Sequence, residues 1–376
     1  MKTAAIICEY DPFHYGHKKQ IELIKSELGE NTVIISLMSG STVQRGRFSL
    51  YPKHVRAEAA LLNGSDAVFE LPCPYCCAGA EGFATGAVNI LNDLTNIDHL
   101  VFGSENGNIT SLMKSAQIIN SKEYIEALKQ EKSSSSHINR CESVFKSLGG
   151  GDFPSQPNDI LAVEYLAALM RMNSSVMPFT YKREEGFSAT EARKALFSSA
   201  DASEHIPSEA LNIFEKEELT DVSAYEAVAL YKIRQSSSEA LSRFYGMNGG
   251  VSGLIKANAE KVTSLEDLVA LCTGKSYTSS RIRRAILSAV LEITENDIKA
   301  KPLFTTLLGT SDKGREYLNS IRKSAKIKII TKPADGLTLE EAVAEQYKKS
   351  LESDRLMAQL RHTDMTSVLK KNPVLI

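Results

Sequence analysis

Short apolar runs alternate with amphipathic stretches through the first half of the chain. The runs at residues 4–8, 33–38, 66–71, 99–103 and 177–181 are rich in β-branched or aromatic side chains, and several end at Gly, Ser or Pro, which predicts buried strands. Between the runs, apolar side chains recur every three or four positions, the spacing of amphipathic helices. Strands that alternate with helices of this length predict an α/β fold with a parallel, doubly wound sheet.

The pattern changes near residue 196. Beyond it, three segments have helical spacing with no strand between them, so we expect a mainly α-helical C-terminal domain over residues 196–376, after a sheet domain over residues 1–195. Residues 303–331 have the pattern of a small strand-helix-strand unit, and a last long helix is predicted to begin near residues 338–341. The three helical segments are residues 221–233, 264–271 and 280–293.

Helix caps and runs of Ser or Gly predict the helices and loops that lie between the fourth and fifth strands and just after the fifth strand. One helix is expected over residues 109–130, and the Ser and Gly runs at 133–136 and 149–151 are expected to be loops. Asn158-Asp159 is typical of a cap before an amphipathic helix. Residues 188–191 have the spacing of a capping box, which predicts another helix after the fifth strand.

The stretch after the first strand carries the strongest chemical signal. Asp11-Pro12 ends the strand, because proline has no amide to continue a ladder, and helical spacing begins at His17. His14, Gly16 and His17 therefore lie where a strand passes into a helix. The unpaired amides and the dipole of a helix N-terminus favour phosphate, and Gly16 would let it approach closely. This pattern is that of the nucleotidyltransferase superfamily; a metal-binding pair or two ordinary polar turn residues are the alternatives.

A second predicted anion site lies at the start of the helix after the fifth strand. Ser188 and Thr190 supply hydroxyls at a helix N-terminus, and Arg193 follows one turn later. Ligands of an open α/β sheet bind at the carboxyl ends of its strands, so this site should meet the two histidines and the turns that hold Gly103 and Arg183. Two anion sites suit a triphosphate, whereas Ser188 by itself is also explained as a plain helix cap.

Composition limits the remaining possibilities. The chain has 376 residues, enough for two domains, and a formal net charge of −2, so any nucleic acid would have to contact a local basic patch. Six cysteines without disulfide spacing, and the lack of a signal peptide or long apolar run, predict a reduced cytoplasmic protein with no membrane contact. Cys73, Cys76 and Cys77 lack a partner pair at zinc-finger spacing, so we expect buried thiols and no metal site there.

Several motifs together resemble one family. The motifs are Glu9 to His17, Met38-Ser39-Gly40, Gln44-Arg45-Gly46, Glu70-Leu71-Pro72, Phe102 to Glu105, Pro157 to Leu161 and Thr273 to Thr278. In this combination they are similar to the bacterial tRNA(Met) cytidine acetate ligase family, whose fold is a Rossmann-like nucleotidyltransferase domain. The chain departs from that family at Asp11 and Tyr15, where Asn is usual, and at His54, where an aromatic residue is usual.

The resemblance implies an enzyme that uses ATP, with Mg²⁺, to acetylate the exocyclic amine of the wobble cytidine in elongator tRNA(Met). It implies acetate and this tRNA as partners, with no DNA, and a tRNA-binding role for the C-terminal domain. His14, His17 and Arg193 would be catalytic. The residues expected to hold ATP are Ile7, Cys8, Glu9, Tyr10, Asp11, Pro12, Phe13, His14, Tyr15, Gly16, His17, Lys18, Lys19, Gln20, Gly103, Asn158, Arg183, Ser188 and Thr190.

The RNA surface is expected on the helix that begins near Ser280. Arg281 and Arg284 fall opposite its apolar face, and Lys275 and Tyr277 precede it, a combination that suits RNA backbone and a stacked base. An ordinary solvated helix face is the alternative. Second candidates for RNA contact are Arg45, Lys53 and Arg56.

Two other functions fit the same motifs. One is an adenylyltransferase acting on a small phosphorylated metabolite, which would use the same histidines but needs no basic patch. The other is a non-catalytic RNA-binding protein built on a lapsed nucleotidyltransferase domain, against which the intact His14, Gly16, His17 and Arg193 argue. The sequence does not identify a base for the transfer to the cytidine amine.

Overall fold

Strands and helices alternate through the first half of the computed structural model, which describes residues 2–131, 137–184, 186–198 and 201–376. The predicted serine loop at 133–136 lies outside these residues. The elements are β1 (Thr3–Cys8), α1 (Tyr15–Leu28), β2 (Val33–Ser39), β3 (Thr42–Val43), β4 (Arg47–Phe48), α2 (Lys53–Leu62), β5 (Ala67–Leu71), α3 (Ala80–Leu94), β6 (His99–Ser104), α4 (Ile109–Asn120), α5 (Lys122–Gln130), α6 (His137–Ser147), α7 (Pro157–Arg171), β7 (Met177–Lys182) and α8 (Ala189–Phe197).

Helices dominate the second half, as the periodicity predicts. The elements are α9 (Ser208–Phe214), α10 (Val222–Gln235), α11 (Ser238–Ser242), α12 (Val251–Ala259), α13 (Leu265–Cys272), α14 (Ser279–Val290), α15 (Glu295–Lys299), β8 (Phe304–Thr310), α16 (Asp312–Ile321), β9 (Lys328–Ile330), α17 (Glu341–Leu360) and β10 (Val374–Leu375). The α/β fold class and its helical C-terminal region are therefore confirmed.

The main sheet is doubly wound. Its strand order is β10-β8-β5-β2-β1-β6-β7, and β9 also pairs with β8. The chain moves from β1 through β2 to β5 on one side and then returns to β6 and β7 on the other, so the strand order reverses between β1 and β6. Such a reversal opens a crevice at the carboxyl ends of the two strands. The five main-sheet strands from the first half, β1, β2, β5, β6 and β7, pair in parallel, with Ala4 opposite Ile34 and His99.

The strand-helix-strand segment extends this sheet. β8 pairs antiparallel with β5, placing Ala67 opposite Thr310, and β9 and β10 both pair with β8 in parallel. The expectation that the sheet ends near residue 196 is therefore wrong, because a strand more than 100 residues further along the chain covers the edge of β5. The division into a catalytic and a tRNA-binding domain stays a prediction.

Several local predictions need correction. The expected helix over 109–130 is two helices, because Ser121 adopts an extended conformation and caps the second of them. The helix with Asn158 begins one residue earlier, at Pro157, so Asn158 lies in its first turn and is not its cap. Ser188 does cap α8, but Glu191 bonds Lys194 and does not return a capping bond to Ser188. α6 was not predicted.

Candidate active site

A cleft lies at the point where the strand order reverses. It has a volume of about 770 Å³ and is bordered by the carboxyl ends of β1 and β6, the starts of α1, α7 and α8, and the first turns of α14. Most of the predicted site residues line it. They are Ile7, Cys8, Glu9, Tyr10, Asp11, His14, Gly16, His17, Lys19, Gln20, Gly103, Asn158, Arg183, Ser188, Thr190 and Arg193.

Four predicted ATP-binding residues do not line the cleft: Pro12, Phe13, Tyr15 and Lys18. Phe13 is fully buried and packs its ring against His17, with 5.4 Å between centroids, so it supports the histidine from behind. The backbone N–H of Tyr15 donates to the carbonyl of His205, and the Lys18 ammonium lies 3.9 Å from the carboxylate of Glu209. These residues connect the site to the segment that contains α9.

His14 and His17 form a stacked pair. Their ring centroids are 3.8 Å apart with 27° between the planes. Nδ1 of His14 accepts from the amide of Gly16 at 3.0 Å, and Nδ1 of His17 accepts from the amide of His14 at 3.2 Å, which makes a capping box for α1. A neutral imidazole whose Nδ1 accepts a hydrogen bond carries its proton on Nε2. Each ring therefore keeps an Nε2–H donor for a ligand.

Both histidines are neutral at physiological pH. Burial, together with the charges of Arg183, Arg193 and His205, lowers the pKa of His14 to about 3. Burial also holds the pKa of His17 well below its usual value, helped by His14 and Arg183. The pair can therefore donate two hydrogen bonds to anionic oxygens without first losing or gaining a proton.

The start of α1 differs from the expected anion site. The amide of Tyr15 donates to His205, that of Gly16 to the His14 ring, and that of His17 to the carbonyl of His14, so the first amides of the helix are already paired. A Cβ on Gly16 would lie 2.9 Å from Cε1 of His14 and 3.1 Å from Cβ of Phe187. The prediction that unpaired α1 amides bind phosphate is therefore wrong, and Gly16 makes room for protein side chains.

The start of α8 keeps its amides available. The amides of Ala189 and Thr190 have no hydrogen-bond partner in the described part of the chain, while Ser188 Oγ accepts from Glu191 at 3.3 Å. One guanidinium nitrogen of Arg193 donates to the carbonyl of Asp11 at 2.9 Å, which holds α8 against the loop after β1. Two free amides, two hydroxyls and a guanidinium converge there, as an anion site requires.

Asn158 connects the ends of two strands. Its side-chain oxygen accepts from Arg183 at 2.8 Å, and its Nδ2 donates to Glu105 at 2.7 Å. Glu105 also accepts from the amide of Asp159 at 2.9 Å, and these hydrogen bonds lower the pKa of its carboxyl group. A Cβ on Gly103 would lie only 2.7 Å from Cγ of Arg183, so glycine is needed for the Arg183 stem to cross β6.

The β3–β4 hairpin contributes cleft residues that the sequence pattern did not predict as nucleotide contacts. Arg47 forms a 2.7 Å ion pair with Asp11, and Asp11 also accepts from the amide of Leu50 at 2.7 Å. The amide of Gln44 donates to Glu9 at 2.7 Å. The strands of this hairpin are two residues long, too short for periodicity to reveal.

The RNA candidates divide into three environments. Arg56 is fully buried and donates to the carbonyls of Glu9, Ser39 and Tyr51, so it cannot contact RNA. Lys53 is bonded to Glu70 at 2.8 Å and Asp354 at 2.6 Å inside the protein. These two candidates were wrong, because charged residues at a helix start are normally exposed and these are held by groups distant in sequence.

The remaining candidates lie on or near the cleft. Arg45 is exposed and lines it, and Arg284, expected on an RNA surface opposite the apolar face of its helix, also lines it and donates to the carbonyl of Gln44 at 3.3 Å. Arg281 lies over the ring of Tyr277, 5.0 Å from its centroid. α14 therefore carries one arginine into the cleft and another outside it.

No helix within residues 2–131, 137–184, 186–198 and 201–376 is long and apolar enough to cross a membrane. Across the same described ranges, no three His, Cys, Asp or Glu side chains are grouped as a metal site. Cys73, Cys76 and Cys77 are buried free thiols.

Known proteins match the chain along its whole length. Residues 1–373 match the HIGH Nucleotidyl Transferase family. The tRNA(Met) cytidine acetate ligase of Caldanaerobacter subterraneus is 32% identical over 99% of this chain and 96% of the relative, and that of Fervidobacterium nodosum is 31% identical over 93% and 88%. The crystal structure of Thermotoga maritima TmcAL bound with alpha-thio ATP superposes with a TM-score of 0.91 at 26% identity, covering both chains completely. The chain belongs to the tRNA(Met) cytidine acetate ligase family of HIGH nucleotidyl transferases, which confirms the resemblance seen in its sequence.

Proposed function

We propose that this protein activates acetate with ATP and transfers the acetyl group to the wobble cytidine of elongator tRNA(Met), forming N4-acetylcytidine. The observation that carries the chemistry is the stacked pair of neutral histidines facing a cleft shared with the start of α8. The names of full-length relatives support the choice of acetate and this tRNA. Such a substrate would place the protein in the cytoplasm.

The first step would join acetate to the α-phosphorus of ATP. An acetate oxygen forms the new bond to phosphorus, the bond to the bridging oxygen breaks, and pyrophosphate leaves. Acetate is already ionised at neutral pH, so no general base is needed, and catalysis rests on position and electrostatics. The Nε2–H groups of His14 and His17 would stabilise charge on the reacting phosphate, while Arg193 and the α8 amides would hold the departing pyrophosphate.

Asn158 and Arg183 are proposed to hold the nucleoside end of ATP, since they lie beside Gly103 where β6 ends. Mg²⁺ is a further proposal. The described residues offer no group of three ligands for it, which fits an ion held mainly by phosphate oxygens and water. No step above depends on that ion.

The test is to separate the two half-reactions with purified protein. Acetate-dependent exchange of labelled pyrophosphate into ATP reports activation, and labelled acetate in tRNA, digested to nucleosides, reports transfer. Label in N4-acetylcytidine that requires ATP would support the proposal. Exchange that requires a phosphorylated metabolite in place of acetate would instead favour a small-molecule adenylyltransferase, and tRNA binding without either reaction would favour a non-catalytic protein.

A further inference from the structure

Glu9 is a carboxylate of the cleft that the first step does not use. Its Oε1 accepts from the amide of Gln44 at 2.7 Å, and its side chain lines the cleft. Oε2 has no hydrogen bond, and the carboxylate has no ion-pair partner, in the part of the chain that the structure describes. One oxygen is therefore fixed and the other is available to a ligand.

The neighbouring carboxylate is not available in this way. Asp11 lies two residues further on, where it pairs with Arg47 and accepts from the amide of Leu50. Glu9 is also held at its backbone, because the buried guanidinium of Arg56 donates to its carbonyl. A free acceptor on a fixed strand end is a suitable position for recognising a hydrogen-bond donor.

The carboxylate of Glu9 is held from the hairpin side of the cleft, and the residues proposed to hold the nucleoside end of ATP follow other strands. Its partner Gln44 follows β2, on one side of β1 in the sheet, whereas Asn158 and Arg183 follow β6 and β7 on the other. Phe102 and Tyr165 line the same cleft with their rings 5.6 Å apart, and burial, together with the charge of Glu9, raises the pKa of Tyr165. Aromatic walls beside a free carboxylate suit a planar nucleobase.

We propose that Glu9 accepts a hydrogen bond from the exocyclic amine of the target cytidine and takes up the proton lost during acetyl transfer. This inference rests on the proposed function. In the step, the amine nitrogen forms a bond to the acetyl carbon, the bond from that carbon to the AMP oxygen breaks, AMP leaves, and one amine proton passes to Glu9.

The chemistry of the base explains why a carboxylate fits. An ionised carboxylate only accepts hydrogen bonds, and cytosine presents an amino donor where uracil presents a carbonyl acceptor. Glu9 would therefore favour cytidine and repel uridine in the same position. A positioned base of this kind typically contributes about 10²–10⁴ to a rate.

The experiment compares Glu9→Gln with Glu184→Gln, a matched control at another edge of the cleft. Both remove one carboxylate charge from the cleft, and glutamine keeps the oxygen that accepts from Gln44. We expect Glu9→Gln to slow single-turnover acetyl transfer at least about 100-fold more than it slows acetate-dependent pyrophosphate exchange. Glu184→Gln is expected to change the ratio of the two rates less than about threefold, because its carboxylate is exposed and already paired with Lys19.

A binding measurement provides a second readout. Anticodon stem-loops with cytidine or uridine at the wobble position are titrated into each variant, and we expect a cytidine preference of about 10-fold or more in the unchanged protein that Glu9→Gln removes. Glu9→Asp, which retracts the carboxylate by one methylene, should retain the preference while slowing transfer. Equal losses in both half-reactions, or an unchanged preference for cytidine in Glu9→Gln, would overturn the role of Glu9 but not the proposed function. Lack of acetate-dependent exchange in the unchanged protein would overturn the proposed function as well.

Discussion

The guanidinium of Arg183 donates a 2.8 Å hydrogen bond to the side-chain oxygen of Asn158, and this bond joins the end of β7 to the first turn of α7. Glu105, at the end of β6, accepts from the other side of the same amide at 2.7 Å. Each partner follows a different element of the sheet, so Asn158 holds one wall of the cleft together. An ordinary helix cap would need neither partner.

Removing this amide should weaken ATP binding. We expect Asn158→Ala to raise the KM for ATP in pyrophosphate exchange about 10-fold with little change in kcat, since the charged guanidinium of Arg183 loses a hydrogen-bond acceptor. Asn120→Ala is the control, because Asn120 accepts a similar 2.9 Å bond from Arg171 outside the cleft. An equal rise in KM in both variants would show that the Asn158 effect is only structural.

Replacing His14 by asparagine should separate its two roles. Asparagine is a good N-cap and places an oxygen near the position of Nδ1, so α1 should remain intact, but it has no donor equivalent to Nε2–H. We expect exchange to fall about 10²–10³-fold with an unchanged melting temperature. His14→Ala should lose the same activity and also about 0.5–2 kcal/mol of stability. Exchange within a few-fold of normal in His14→Asn would refute the catalytic assignment.

Acid should destabilise the protein through His54. Burial, together with Lys53, Lys371 and Arg56, lowers its pKa from 6.5 to about 3. Below pH 6.5 the unfolded chain therefore binds a proton that the folded protein excludes, so stability is complete above that pH and falls as pH drops toward 3.

The matched variant is His54→Phe, which has no proton to bind. We measure the free energy of unfolding in urea between pH 6 and pH 4. For each pH unit of acidification, we expect it to fall by up to about 1.4 kcal/mol more in the unchanged protein than in the variant. His14 and His17 titrate in both proteins and cancel in the difference. If the unfolding free energies of the two proteins depended on pH in the same way, His54 would bind its proton as readily in the folded protein as in the unfolded chain.

The buried ion cluster should contribute to stability and not to tRNA binding. Lys53 holds two carboxylates, those of Glu70 and Asp354, whose side chains are 2% and 9% exposed. We expect Lys53→Met to cost about 3–5 kcal/mol of unfolding free energy, because it leaves both acids buried without a cation. Adding Glu70→Gln and Asp354→Asn should recover more than half of that loss. Loss of tRNA affinity at full stability would restore Lys53 as an RNA contact.

The arginine of α14 that lies outside the cleft should contribute to tRNA affinity. Arg281 stacks over Tyr277 outside the cleft. We expect Arg281→Ala to weaken tRNA binding and to make that binding less dependent on salt, by the amount that corresponds to about one phosphate contact. Pyrophosphate exchange should persist in this variant. Arg283→Ala is the matched control on the same helix, since Arg283 is paired with Glu266. Equal losses in the two variants would argue against a specific RNA face.

Local patterns in the sequence determined much of the fold and part of the site. The five parallel strands were predictable because β-branched runs between helical repeats have few other stable arrangements. The junction that holds His14 and His17 was predictable because proline and helical spacing define it within a few residues. The resemblance to the family rested on the same short motifs, and the full-length relatives confirmed it.

Other features depend on residues that are distant in sequence. Arg56 is buried because the carbonyls of Glu9, just after β1, and Ser39, at the end of β2, converge on it, and the first amide of α1 is paired because His205 reaches it. A hairpin beyond β2 supplies Gln44, which holds one oxygen of Glu9, and Arg47, which pairs with Asp11.

The sequence by itself therefore determined which segments form strands and helices and where the histidine motif lies, because periodicity, glycine and proline act over a few residues. Only the tertiary structure decided which polar groups remain available to ligands and that β8 covers the edge of β5. The physical reason is that burial and pairing are set by contacts between residues far apart along the chain, which no local pattern records.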